Sequence, residues 1–185
     1  MKGDYDRAIA DASEAIRLDP KDARAYCTRS EAYYMKGGFD RAIADASEAI
    51  RLDPKPAKVY AYRGDAYQCK GEYDRAIADY TEAIRLNPRS AWAYGRRANA
   101  YLFKDEFDRA IADCDEAIRL DPTYAWAYSS RGHAFAAQGD FRSAIADLTE
   151  CLRLDPTDEV VKQKLEVVKQ EQARPRARRE GGGSV

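Results

Sequence analysis

The sequence predicts an all-α solenoid in which similar helix-turn-helix units stack side by side, and two observations predict it. Residues 6–21 are identical to residues 40–55, an identity that duplication or consensus engineering explains and chance does not. An Asp-Pro or Asn-Pro pair also recurs every 34 residues, and its prolines are Pro20, Pro54, Pro88, Pro122 and Pro156. A unit this short cannot bury both of its faces alone, so neighbouring units must stack.

The segment before each proline is predicted to be an amphipathic helix. In residues 73–88 the apolar residues fall at i, i+1, i+4, i+7 and i+8, which is one stripe of a helix; they are Ala76, Ile77, Tyr80, Ala83 and Ile84. Proline ends the helix because it lacks the N–H that an interior turn donates.

A second helix precedes this one in each unit. Ala57, Tyr60, Gly64 and Tyr67 share a helical face, and Lys70-Gly71 supplies a turn. One unit therefore consists of a helix A, a tight turn, a helix B and a turn marked by proline.

These units resemble the tetratricopeptide repeat (TPR). With position 1 placed at Ala23, Ala57, Ala91 and Ala125, six positions of the family pattern recur in four full units. They are position 4 (aromatic), 8 (small), 11 (aromatic), 20 and 27 (small) and 32 (proline). The resemblance covers about residues 3–156 and implies a right-handed superhelical solenoid.

The pattern also divides the chain. We expect a half repeat with helix B only in residues 1–20 and four TPR units in residues 21–156, at about 23–56, 57–90, 91–124 and 125–156. Residues 157–173 are predicted to form a C-terminal capping helix, and the Arg/Gly-rich residues 174–185 to be disordered. Residues 1–3 align with residues 35–37, so either the native start lies at this turn or a longer array has been cut at an internal Met. We expect the cut, which makes any cellular location provisional.

Composition excludes several classes of protein. Lys and Arg number 31 against 32 Asp and Glu, a net charge of −1 that argues against nucleic-acid binding. No apolar run approaches the roughly 18 residues of a membrane span. The four cysteines are far apart and there is one histidine, so we expect no metal site and no cofactor. No catalytic motif occurs, and we expect a cytoplasmic protein that is not an enzyme.

Two departures from the family pattern occur together. Position 7, usually Leu, is arginine, and position 23, usually aromatic, is aspartate; these residues are Arg29, Arg63, Arg97, Arg131, Asp45, Asp79, Asp113 and Asp147. Because a guanidinium near a helix interface needs a carboxylate, we expect an Arg–Asp ladder along the array. A pair between Arg29 and Asp11 would indicate pairing between units. The alternative is that the arginines bind a ligand.

The resemblance also indicates a binding surface, since TPR proteins line their concave surface mainly with helix A positions 2, 5, 9, 12 and 13. The candidate partner-binding residues are Trp92, Asn99, Phe103, Trp126, Ser129, His133, Tyr34 and Asp65. Trp is favoured as a binding anchor because it buries a large area with few rotatable bonds. Alternatively each Trp only packs over the neighbouring unit, and His133 is only a polar surface residue.

The predicted function is a non-catalytic scaffold that binds a peptide or an amphipathic helix of another protein. The two-carboxylate clamp by which TPR co-chaperones hold acidic peptides is absent: its five positions hold Cys27, Glu31, Tyr62, Trp92 and Arg96 in one frame, and the next frame fits no better. The alternatives are a self-assembling array that dimerises through residues 1–20, or an engineered repeat protein of consensus type.

Overall fold

The computed structural model describes residues 2–174, and these form ten α-helices with no strand among them. The helices are α1 (Lys2–Leu18), α2 (Ala23–Met35), α3 (Phe39–Leu52), α4 (Ala57–Cys69), α5 (Tyr73–Leu86), α6 (Ala91–Leu102), α7 (Phe107–Leu120), α8 (Ala125–Ala137), α9 (Phe141–Leu154) and α10 (Glu159–Ala173). This confirms the all-α prediction. Most of the tail expected to be disordered, residues 175–185, lies outside the described residues.

The turn between helix A and helix B needs a left-handed backbone. Gly37, Gly71 and Gly139 hold it with φ of 77°, 75° and 80°, which glycine adopts without steric cost. In the third unit Asp105 takes the same place with φ of 56°. Aspartate is one of the few other residues that visit this region readily.

Helices A and B of one unit pack through complementary side-chain sizes. Gly64 on α4 faces Tyr80 on α5, whose ring is fully buried, and a Cβ at Gly64 would lie 2.8 Å from that ring. Gly132 faces Leu148 in the same way in the fourth unit. In these two units a bulky residue at position 24 thus faces glycine at position 8. The position 8/24 pairs of the four units are Ser30/Ala46, Gly64/Tyr80, Ala98/Cys114 and Gly132/Leu148.

The stack curves towards its A helices. Helix α4 contacts both α2 and α6, and α6 also contacts α8. Among the described residues, no two B helices make contacts of that extent. The A helices therefore line the inner surface, where the candidate binding residues lie. No helix within residues 2–174 has the length and apolar character to cross a bilayer.

Helix α1 shows one sequence in two environments. Residues 6–21, which include most of α1, are identical in sequence to residues 40–55, which include most of α3. In α3, Ala42 and Ala49 are buried against helix α2, whereas their counterparts Ala8 and Ala15 are partly exposed. Asp11 is exposed, although its counterpart Asp45 is 7% exposed. We call Ala8, Asp11 and Ala15 the open face of α1.

Candidate functional site

Each position-7 arginine forms a bidentate ion pair with the position-23 aspartate of its own unit. In the third unit, Nε and Nη2 of Arg97 each donate to one carboxylate oxygen of Asp113 over 2.7 Å. The other three pairs have N–O distances of 2.7–2.8 Å. Pairing is thus within the unit, and Arg29 pairs with Asp45 rather than with Asp11.

The third nitrogen of each guanidinium reaches the preceding helix B. Nη1 of Arg97 donates to Oγ1 of Thr81 over 2.9 Å, and Arg29, Arg63 and Arg131 make the same contact to Ser13, Ser47 and Asp115. Each arginine therefore ties its own unit to the one before it. Because these donors are used inside the protein, the geometry supports a structural ladder over a ligand-binding one.

Two tryptophans enclose an arginine at the centre of the inner surface. The guanidinium carbon of Arg96 lies 5.3 Å from the ring centroid of Trp92 and 4.8 Å from that of Trp126. Such contacts stabilise a cation by the quadrupole of each ring. Both indoles are partly exposed. We call Trp92, Arg96 and Trp126 the indole–arginine cluster.

A buried carboxylate lies behind this cluster. Asp65 is 3% exposed, accepts a hydrogen bond from the hydroxyl of Tyr80 over 2.8 Å, and lies 3.6 Å from Nε of Arg96. That Nε is buried and has no hydrogen-bond partner within the described residues. Burial raises the pKa of Asp65, against the opposing effects of the Arg96 charge and the Tyr80 hydrogen bond.

This raised pKa predicts a pH dependence of stability. A carboxyl whose folded pKa lies above its ordinary value of 3.8 stabilises the fold in its protonated form, and that contribution is lost as the pH rises through the folded pKa. We expect the free energy of unfolding of the wild type, relative to Asp65→Asn, to be higher at pH 4 than at pH 7. Urea unfolding of both proteins at both pH values checks this, and the opposite sign would contradict it.

The two tryptophans also contribute to packing. Trp92 packs against a buried cluster that includes Ala61, Ala83 and Ala93, and its ring meets Tyr62 edge-on at a centroid distance of 6.4 Å. One part of the Trp92 indole therefore covers the neighbouring unit while the rest faces solvent. Neither indole is fully buried between helices.

The other candidate residues lie around this centre. Asn99 accepts a hydrogen bond from Gln68 over 2.7 Å, which joins helices α4 and α6. Phe103 is 58% exposed and stacks on Tyr73 at 5.0 Å. Burial, together with the nearby Asp65 charge, raises the pKa of Tyr34 to about 12.

At the C-terminal end of the surface, Ser129 is half-buried, and His133 is partly covered but keeps an exposed part. Partial burial, followed by the positive charge of Lys164, lowers the pKa of His133. This shift favours the neutral imidazole at pH 7, the form that offers a partner hydrogen bonds rather than a charge.

Exposed apolar side chains are concentrated on this side of the molecule. Among the described residues five large ones are exposed, namely Leu18, Met35, Phe103, Val160 and Val167. Met35 and Phe103 lie at position 13 of their units. When the repeat register is continued into α10, Val160 and Val167 lie at positions 2 and 9. Apolar side chains gathered on one surface are typical of a binding site.

Sequence reasoning missed Arg96 as part of the site. The residue lies four positions after Trp92, on the same helical face, and this spacing is the signal that identifies it. Within residues 2–174, no group of His, Cys, Asp or Glu side chains has the arrangement to hold a metal ion.

Comparison with known families places repeats along the chain. The family model described as tetratricopeptide repeat matches residues 57–90, 91–124 and 125–158. Related models described as TPR repeat and tetratricopeptide repeat match residues 2–37 and 23–56. No curated protein matches the chain.

Several solved structures have a similar fold. The crystal structure of MamA is 28% identical, covers 84% of this chain and 91% of its own, and has a TM-score of 0.78. The first TPR of Spaghetti (RPAP3), bound to the HSP90 peptide SRMEEVD, is 32% identical, with coverage of 66% and 97% and a TM-score of 0.63. YrrB, a TPR protein with an unusual peptide-binding site, shares the fold at 19% identity, with coverage of 89% and 84% and a TM-score of 0.77.

Proposed function

The chain belongs to the tetratricopeptide repeat family, and from this membership we infer that its inner surface binds a peptide or an amphipathic helix of a partner protein. The observation that carries this proposal is the indole–arginine cluster. It presents two partly exposed indoles and a guanidinium at the centre of the surface. Tryptophan and arginine are the residue types that most often dominate the binding energy of protein interfaces.

A solved relative supports peptide binding, although the residues that would make the contacts in the present chain are different. The TPR of Spaghetti (RPAP3) is solved with an HSP90 peptide. In the present chain the basic and amide residues of a two-carboxylate clamp are replaced by Cys27, Glu31, Tyr62 and Trp92, and Arg96 lies between two indoles. The partner is therefore expected to be held mainly through aromatic contacts.

We propose a non-catalytic role in the cytoplasm. No described helix spans a membrane. The four cysteines are free thiols, and free thiols persist in a reducing compartment.

Alanine at either Trp92 or Trp126 is expected to weaken partner binding by about 1–3 kcal/mol, which is the usual cost of losing an aromatic anchor. The partner segment is first selected from a random-peptide phage library on the wild-type chain. Calorimetry then compares its affinity for the wild type and for the two variants.

The control is Leu18→Ala, because Leu18 is an apolar side chain that is 70% exposed and lies at the end of a helix B. It is expected to leave the affinity unchanged. Wild-type affinity in both tryptophan variants, with the helical circular dichroism signal retained, would contradict the proposal.

A second candidate function is self-association, which the open face of α1 favours. The same sequence buries its alanines in α3 but leaves them partly exposed in α1. Helix α10 buries Val161, Leu165 and Val168 and carries polar residues on much of its remaining surface. This arrangement favours a closed head-to-head dimer through residues 1–20 over a filament.

We expect the sedimentation coefficient to rise with protein concentration, and Ala8→Lys to abolish that rise by placing a charge on the open face. Ala10→Lys is the matched control, since Ala10 is exposed outside the open face. A monomer at high concentration would rule out this candidate.

A further inference from the structure

A cleft of about 380 Å³ lies between helices α2 and α4, in the N-terminal half of the inner surface. Cys27, Ala49 and Val59 line its apolar part, and its charged lining residues are Arg24, Glu31, Asp53 and Lys58. We call it the α2–α4 cleft. The proposed partner contacts at Trp92 and Trp126 leave this cleft without a role.

The equivalent place one unit further along is mostly filled. The cleft between α4 and α6 has a volume of about 150 Å³. Its lining residues each follow a lining residue of the α2–α4 cleft by 34 positions. The largest change in side-chain shape is at position 2 of the following unit, where Lys58 is replaced by Trp92.

Trp92 and Lys58 behave differently at this position. Trp92 packs against the buried cluster that contains Ala61, Ala83 and Ala93, and it lines the second cleft together with them. Lys58 instead extends to Glu31, with an N–O distance of 3.2 Å, and its side chain is 62% exposed. The second cleft is therefore small because the chain's own indole occupies part of it, and the α2–α4 cleft lacks this occupant.

The apolar part of the α2–α4 cleft is suited to the same occupant. Ala49 and Val59 are buried, at 1% and 2% exposure, and they correspond to Ala83 and Ala93. Cys27, which corresponds to Ala61, is half-buried. The α2–α4 cleft thus offers small apolar side chains like those on which an indole packs one unit away.

The charges of the α2–α4 cleft are unequally matched. Lys58 pairs with Glu31, which also accepts a hydrogen bond from Tyr62 over 2.9 Å. Arg24 is exposed and has no ion pair among the described residues. Asp53 also lines the cleft, and its carboxylate accepts a hydrogen bond from the backbone N–H of Lys55 over 3.1 Å. Among the described residues Arg24 is therefore the one charged lining residue whose side chain has neither an ion pair nor a hydrogen bond, and its positive charge is the one available to a ligand.

We propose that the α2–α4 cleft receives an aromatic side chain of the partner segment, and that an acidic residue next to this side chain pairs with Arg24. The proposal rests on the proposed function, because it assigns a second anchor point on the same inner surface. It defines the partner as a segment in which an aromatic residue adjoins an acidic one.

The test uses Cys27, whose thiol lines the cleft. In a Cys69→Ser background Cys27 is the most accessible thiol, since Cys114 and Cys151 are buried. The protein is equilibrated with cystamine-derived disulfides that carry an indole-acetyl group or an acetyl group. Mass spectrometry measures the 2-mercaptoethanol concentration that releases half of each probe from Cys27. The indole probe is expected to need about tenfold more reductant, because burial of its ring stabilises the adduct.

Two variants test the parts of the proposal. Lys58→Trp places at position 2 the tryptophan that the third unit has there, so that the new indole fills the cleft. It is expected to abolish the preference for the indole probe and to keep or raise the thermal unfolding midpoint. A further probe is made by acylating the α-amine of tryptophan with 3,3′-dithiodipropionic acid, so that a free carboxylate remains beside the indole. It should resist reductant more than the matched tryptamine probe, which lacks the carboxylate, and Arg24→Gln should remove only this increment.

Equal retention of the indole and acetyl probes on Cys27 would overturn the proposal, as would an indole preference that persists in Lys58→Trp. The assay involves no contact with Trp92 or Trp126. Its failure is therefore distinguishable from a failure of the proposed function, which the phage-selected peptide tests separately.

Discussion

Replacement of Tyr80 by alanine is expected to lower the free energy of unfolding by about 3–5 kcal/mol, the range for removing a large buried aromatic ring. The ring is fully buried against Gly64, and its hydroxyl donates to the buried carboxylate of Asp65. The substitution creates a cavity and removes a donor from Asp65. Urea unfolding monitored by circular dichroism measures the loss.

The first unit offers a comparison for the packing of Gly64 against Tyr80. The first unit holds Ser30 and Ala46 at the positions of Gly64 and Tyr80. Gly64→Ser alone is expected to destabilise the fold by about 1–3 kcal/mol, because a Cβ there would lie 2.8 Å from the Tyr80 ring.

The double variant Gly64→Ser, Tyr80→Ala recreates the pair of the first unit. It is expected to cost at least about 1 kcal/mol less than the sum of its two single variants, because the two residues share one volume. Strict additivity would contradict the complementary packing of positions 8 and 24.

Arg97→Ala is expected to lower the free energy of unfolding by about 1–3 kcal/mol, because it leaves the carboxylate of Asp113 without its counter-ion. Asp113 is 6% exposed, and the same substitution removes the hydrogen bond from Arg97 to Thr81 of the preceding unit. Urea unfolding again gives the measurement.

The control for this ladder is Arg119→Ala. Arg119 forms an ion pair with Glu116 on the surface of α7, where solvent screens it. Its removal should leave the unfolding midpoint unchanged. The double variant Arg97→Leu, Asp113→Phe restores the residue types usual in TPR units and should recover much of the lost stability. A midpoint for Arg97→Ala equal to that of Arg119→Ala would refute the structural role of the ladder.

The repeat and its helices were predictable because they depend on local patterns. A fixed period, an apolar stripe and a proline predict helices B, and glycine at the turn marks the end of most helices A. The family model and the solved structures confirm the TPR fold.

The parts of the site that depend on three-dimensional distances were less accessible. Sequence spacing left open whether Arg29 pairs with Asp11 or Asp45, because both lie on neighbouring B helices, and packing selects Asp45. The arrangement of Trp126 over Arg96 joins two units, and no spacing within one helix predicts it. The open face of α1 illustrates the same limit, since its sequence is that of α3 and its burial is not.

The most direct test of groove binding uses the chain's two tryptophans, which give two indole N–H resonances in a nitrogen-15 correlation spectrum. The phage-selected peptide is titrated into the labelled protein, and each resonance is assigned by its loss in Trp92→Ala or Trp126→Ala. The account predicts that both resonances shift and saturate with the dissociation constant measured by calorimetry. Two resonances that stay in place while the peptide saturates the protein would contradict it.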